Sequence, residues 1–119
     1  MRVLIFGSRN IDYSIELIES IVKFHNIKID TIIERDRPDY DNIGRQYGLA
    51  HNIRFITVRT HSNIHGLHAV QIRNSEIVDI ADIGICLYNG KLKGTLKLIN
   101  KMQSVGKSVI IHRVETVSL

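Results

Sequence analysis

A chain of 119 residues suits one domain and leaves little room for a second. Hydrophobic residues make up 44% and charged residues 24%, a balance that excludes a disordered or fibrous chain. The net charge of +4 is concentrated late: after Asp82 the only acid is Glu115, against Lys91, Lys93, Lys97, Lys101, Lys107 and Arg113, which favours anionic partners.

Arg2 to Phe6 reads as a buried strand closed by Gly7. The run is too short for a signal-peptide core and has no small-residue cleavage site, so a cytoplasmic location is expected. No apolar stretch reaches the length of a membrane span, and no membrane partner is expected. Asp12 or Ser14 is placed to cap a helix running to about Asn26. Its buried face is read as Ile15, Ile18, Val22 and His25, widened by Leu17, Ile21 and Phe24. Asp30 to Glu34 follows as a second strand, then a polar turn with the single proline, Pro38. A second helix is expected from near Asp39 or Asp41 to near His51, and a third strand from Arg54 to Val58. Residues 59–67 read as a loop. A third helix spans about Ala69 to Ala81, and Ile83 to Tyr88 is a fourth, almost wholly apolar strand. Its Cys86, the only cysteine, rules out an internal disulfide and suits a reducing compartment. After a turn from Asn89 to Lys93, a fourth helix runs from Gly94 to about Val105, buried through Leu98, Ile99 and Met102. Gly106 ends it as a C-terminal cap would. Ser108 to His112 is a fifth strand, and the last residues are expected to be loose.

The order is strand then helix, four times, then a strand. Buried strands without polar alternation, interleaved with helices, specify a parallel sheet covered on both faces. The expected fold is therefore α/β, a Rossmann-like three-layer sandwich on a five-stranded parallel sheet. In such sheets ligands bind beyond the carboxyl ends of the strands, where strand order reverses.

Two turns fall at those ends. Gly7-Ser8-Arg9 follows the first strand: the glycine permits close backbone approach, Ser8 offers a hydroxyl, and Arg9 can grip a phosphate with two hydrogen bonds. An ordinary strand-to-helix turn would look the same. Asn89-Gly90-Lys91-Leu92-Lys93-Gly94-Thr95 follows the fourth strand and enters a helix, where free N–H groups and the positive dipole end attract anions. Its spacing is not that of a Walker A loop, and capping alone would also account for Thr95. Arg73 is the third feature. It shares the apolar stripe of its helix with Ile77, Ile80 and Ala81, where an arginine is rarely buried unless paired; a stem laid over apolar surface with its head in water is the alternative, and Asn74 beside it could orient a ligand. His61, His65 and His68 fall at i, i+4 and i+7, but Gly66 interrupts them, and a polar loop accounts for them better than a metal site.

Three segments resemble the SLOG superfamily of Rossmann-like domains, in particular its small stand-alone YspA-like branch of bacteria and phages. Val3-Leu4-Ile5-Phe6-Gly7-Ser8-Arg9 is similar to the opening strand and turn. Ala69-Val70-Gln71-Ile72-Arg73-Asn74 is similar to the Ala-Gly-x-x-Arg-Asn segment. Ile83 through Thr95, with Gly106-Lys107-Ser108-Val109, is similar to the closing strand, Gly-Thr helix and Gly-Lys-Pro-Val. The resemblance covers Val3 to about Ile111. It implies nucleotide-handling relatives, among them the Lonely Guy phosphoribohydrolases and the DNA-processing protein DprA, and it implies self-association. Two departures stand out. The superfamily's glycine-rich turn, Gly-Gly-Ala-x-Gly-x-Asp, is replaced by Arg35-Asp36-Arg37-Pro38-Asp39-Tyr40-Asp41, in which only Asp41 agrees. The phosphoribohydrolases carry a glutamate two residues after Gly-Thr, where this chain has Lys97.

The resulting expectation is a non-catalytic domain that senses or sequesters a phosphorylated nucleotide or nucleotide-derived signal. Gly7, Ser8, Arg9, Asp41, Arg73, Asn74, Asn89, Gly90, Lys93, Gly94 and Thr95 form its ligand site. No catalytic residue, metal or cofactor is assigned, and Lys97 argues against N-glycosidic hydrolysis. The alternatives are a nucleotide-processing enzyme and, from the basic last third, a single-stranded nucleic-acid binder, though aromatics for base stacking are few.

Overall fold

A computed structural model describes residues 1–8, 11, 13–36, 43–91 and 93–115, residue 93 through its backbone only. Along the chain lie β1 (Arg2–Gly7), α1 (Ile15–Phe24), β2 (Thr31–Arg35), α2 (Ile43–Ala50) and β3 (Arg54–Val58). They are followed by α3 (Ser62–His65), a 3-10 turn (Gly66–His68), α4 (Ala69–Ile80), β4 (Ile83–Tyr88), α5 (Lys93–Ser104) and β5 (Val109–Arg113). The five strands form one sheet in the order β3-β2-β1-β4-β5, and every neighbouring pair is parallel. This is the Rossmann-like α/β sandwich expected from the alternation of elements.

The core is split by the sheet. Val3 and Ile5 of β1, Ile32 of β2, and Ile85 and Leu87 of β4 pack against Ile18 and Ile21 of α1 and Ile43 and Tyr47 of α2. The alternate residues Leu4, Phe6, Ile33 and Cys86 face the other way, onto Ile77 and Val78 of α4 and Leu98, Ile99 and Met102 of α5. Strands buried on both faces cannot alternate polar with apolar, which is why their sequences read as continuous apolar runs. The glycines of α2 let that helix lie close on the sheet: a Cβ on Gly48 would fall 2.5 Å from the Phe55 ring.

Several boundaries and environments differ from the sequence expectation. Ser14 caps α1, its hydroxyl accepting from the Leu17 amide at 3.1 Å, while Asp12 lies outside the described residues. Phe24 is not part of the buried face but 85% exposed. It sits about 120° around the helix from Ile18, too far to reach the sheet. His25, also expected inward, falls past the last turn as the exposed C-cap. Residues 59–67 are not all loop: the amides of Ile64 and His65 bond to the His61 carbonyl, closing the turn of α3, and the 3-10 turn carries it into α4. The edge strands are less buried than expected, with only Val58 of β3 fully covered and β5 half-buried to exposed, because each has one sheet neighbour instead of two. The start of the second helix, including Pro38 and Asp39, and the last four residues lie outside the described residues. Gly106 has φ of 80° and closes α5 as expected, the Lys107 amide bonding back to the Met102 carbonyl.

Candidate functional site

Strand order reverses between β1 and β4. From β1 the chain passes through α1 to β2 on one side, and from β4 through α5 to β5 on the other. The two connections diverge at the carboxyl edge, the place where sheets of this kind form a ligand crevice. Gly7 lies opposite Leu87 in the β1–β4 register. A Cβ there would come within 2.8 Å of the Leu87 carbonyl oxygen, so the backbones approach as only glycine allows.

Five of the expected site residues meet at this point. The Ser8 amide donates to the Leu87 carbonyl at 3.0 Å, and the Ser8 hydroxyl accepts from the Asn89 amide at 3.3 Å. The Thr95 hydroxyl donates to the Gly7 carbonyl at 3.5 Å, tying α5 to the end of β1. The Asn89 side-chain oxygen accepts from the Lys91 amide at 3.0 Å, folding the turn back on itself, and Gly90 turns it with φ of 85°. Ser8, Asn89 and Thr95 are all buried. Their side chains shape the crevice floor rather than project from it. The open element is the start of α5: its first turn holds no acidic residue, Gly94 is exposed, and beyond its own helix and chain neighbours no described residue lies within 4 Å of where a Gly94 side chain would begin. Backbone N–H groups at such a helix start, with the positive end of the dipole, suit an anion.

Arg73 and Asn74 form a second cluster on the same edge, with partners the sequence reading did not name. The Arg73 side chain is 2% exposed, and its Nη1 donates to Asp36 Oδ1 at 2.9 Å and to Thr60 Oγ1 at 3.1 Å. Thr60 donates to the same carboxylate twice, from its amide to Oδ2 at 2.7 Å and from its hydroxyl to Oδ1 at 3.0 Å. Burial pushes the Asp36 carboxyl up. The bonds from the Thr60 amide, Arg73 and the Thr60 hydroxyl outweigh it and hold the group below the ordinary carboxylate value. Arg73 Nη2 donates to Asn74 Oδ1 at 3.2 Å. A guanidinium cannot accept, so the amide NH2 of Asn74 is turned the other way.

Asn74 also lines a groove of about 410 Å³ between α4 and α5, with Gln71, Lys97, Asn100, Lys101 and Ser104. Lys97 thus faces the same space as Asn74. Among the described residues, no carboxylate lines the groove.

Arg9 and Asp41 lie outside the described residues, and Lys93 is described only through its backbone. Asp36 was met only as one of the residues that replace the superfamily's glycines, and Thr60 stands in no motif, so neither was assigned to the site. The available signal was position: Asp36 directly follows the β2 run and Thr60 closely follows the β3 run, so both reach the carboxyl edge. The His61 and His65 rings sit 6.4 Å apart edge to face. No group of three or more His, Cys, Asp or Glu is placed to hold a metal among the described residues. Comparison of the chain with protein-family models, with curated proteins and with solved structures finds no match.

Proposed function

We propose that this domain binds a phosphorylated nucleotide or nucleotide-derived signal at the carboxyl edge of its sheet and performs no reaction on it. The observation that carries this reading is the reversal of strand order between β1 and β4, with the unobstructed, acid-free start of α5 beside it. Gly7, Ser8, Asn89 and Thr95 hold the crevice open in one shape, and the Gly94-Thr95 amides meet the phosphate. The resemblance of the three segments to the SLOG superfamily supports a nucleotide over other anions. Lys97, in place of an acid, weighs against base release.

Gly94 gives a clean test. Gly94→Glu meets no steric obstacle and suits the first turn of a helix, so the free protein keeps its melting temperature or gains slightly. Its carboxylate repels a phosphate. A panel of nucleoside mono-, di- and triphosphates is expected to raise the melting temperature of the wild type and not of Gly94→Glu. No response from the wild type, or an equal response from both, rejects the reading.

One observation favours a second reading, binding of single-stranded nucleic acid. It is the α4–α5 groove, with Lys97 and Lys101 one helical turn apart and no acid among the described residues of its lining. That reading requires oligonucleotide binding that weakens steeply with salt.

A further inference from the structure

Arg73 was expected among the ligand-binding residues, yet its charge is already matched inside the chain. The Asp36 carboxylate accepts from Arg73 Nη1, from the Thr60 hydroxyl and from the Thr60 amide, at 2.9, 3.0 and 2.7 Å. Those donors come from Arg73 of α4 and from Thr60, two residues beyond β3, not from the segment that bears Asp36. Arg73 is in turn fixed by Asn74 and buried on the stripe of α4 with Ala69 and Ile77. The donors are therefore a cradle built by elements other than the one that bears the group it holds. Convergent amide, hydroxyl and guanidinium donors are the set that recognises any oxyanion. Asp36 enters it from the carboxyl edge, the side from which ligands approach, and keeps 24% of its side chain exposed.

We infer that Asp36 is a built-in anion that occupies an oxyanion site and so determines which end of the crevice takes a ligand's phosphate. With Asp36 in place, a phosphate or carboxylate is excluded from Arg73 and is directed to the start of α5. The uncharged part of the ligand then lies toward Asp36 and Arg73. Removing the Asp36 side chain converts the cradle into a binding site for a free oxyanion. The assignment of ligand ends rests on the crevice reading above; the cradle itself does not.

The test is chemical rescue. Asp36→Ala leaves a buried arginine without its counter-charge, so it melts below the wild type in chloride. Formate or inorganic phosphate, at equal ionic strength and about ten times its dissociation constant, is expected to raise the melting temperature of Asp36→Ala by about 5 °C relative to chloride. The wild type is not expected to respond. In Asp36→Ala/Arg73→Met the charge is replaced by an apolar chain of similar length, which such buried pairs tolerate, and the rescue disappears. An oxyanion shift no larger in Asp36→Ala than in the wild type or the double variant overturns the proposal. If Asp36→Ala does not fold in chloride, refolding from denaturant reads the same property. Recovery that needs formate or phosphate supports the cradle, and equal recovery in chloride refutes it. The two readings fail separately. Rescue without a nucleotide response in the wild type keeps the cradle and removes the nucleotide crevice. A nucleotide response abolished by Gly94→Glu, without rescue, does the reverse.

Discussion

Arg73 places a full charge on the apolar stripe of α4, and Asp36 and Thr60 make that arrangement tenable. A buried guanidinium left alone would cost several kcal/mol, so its partner is part of the fold as well as of the site. The pH dependence follows. The carboxyl of Asp36 is held below the ordinary carboxylate value in the folded protein, so the unfolded chain takes up a proton first as pH falls. The contribution of Asp36 is therefore complete at neutral pH, starts to decline near that unfolded value, and is gone once pH has fallen through the lower folded one. Asp36→Asn keeps the shape and lacks the titration. Urea unfolding is expected to show a stability gap between wild type and Asp36→Asn that is constant above about pH 6 and narrows below about pH 4. A second buried carboxylate behaves as structure alone: Glu34 accepts from Arg45 of α2 and from the Thr57 hydroxyl at 2.7 Å, pinning α2 and β3 to β2.

Elements are positioned by small residues where they meet. α2 carries Gly44 and Gly48 toward the sheet, and a Cβ at Gly44 would lie 3.2 Å from both Ile5 and Ile32 side chains. At Gly48 the obstacle is the edge of the Phe55 ring, at 2.5 Å, and a ring packed beneath a helix cannot simply swing aside. Gly48→Ala improves helix propensity by about 1 kcal/mol. The overpacking it forces costs about 1–3 kcal/mol. The expected result is net destabilisation, read as a lower denaturant midpoint with an unchanged slope. The same logic at Gly7 joins β1 to β4, which explains why the crevice floor is built from backbone groups and short hydroxyl side chains. Lys107 shows how the far ends are secured: its ammonium donates to the Val78 and Asp79 carbonyls at the end of α4, opposite the dipole.

Across the whole molecule, stability is concentrated at the centre of the sheet. β1 is bonded on both sides and buried along nearly its whole length, and β4 is similar, while β3 and β5 each have one neighbour and expose side chains. Amide hydrogen exchange is expected to be slowest in β1 and β4, and faster by orders of magnitude in the outward amides of β3 and β5. The candidate crevice opens between the two slowest strands, so its floor is rigid and its adaptable parts are the connections above it. The element order, the parallel sheet and the five strands were all legible in the sequence, because alternation of apolar runs with 3.6-residue periodicity is a local property. So were Ser14 as cap, Gly106 as terminator and the meeting of Gly7, Ser8, Asn89 and Thr95, since each follows directly from where a strand or helix ends. The exposure of Phe24 and of the edge strands was not anticipated. The edge strands depend on what lies opposite, which the chain alone does not state; Phe24 was placed inward by drawing the stripe of α1 too wide, although its angle from Ile18 is a local property. Arg73 marks the boundary between the two kinds of knowledge. Its place on an apolar stripe, and hence its need for an anion, is fixed by spacing along one helix. That the anion is Asp36, 37 residues earlier in the chain, was decided only when β2, β3 and α4 came together at one edge of the sheet.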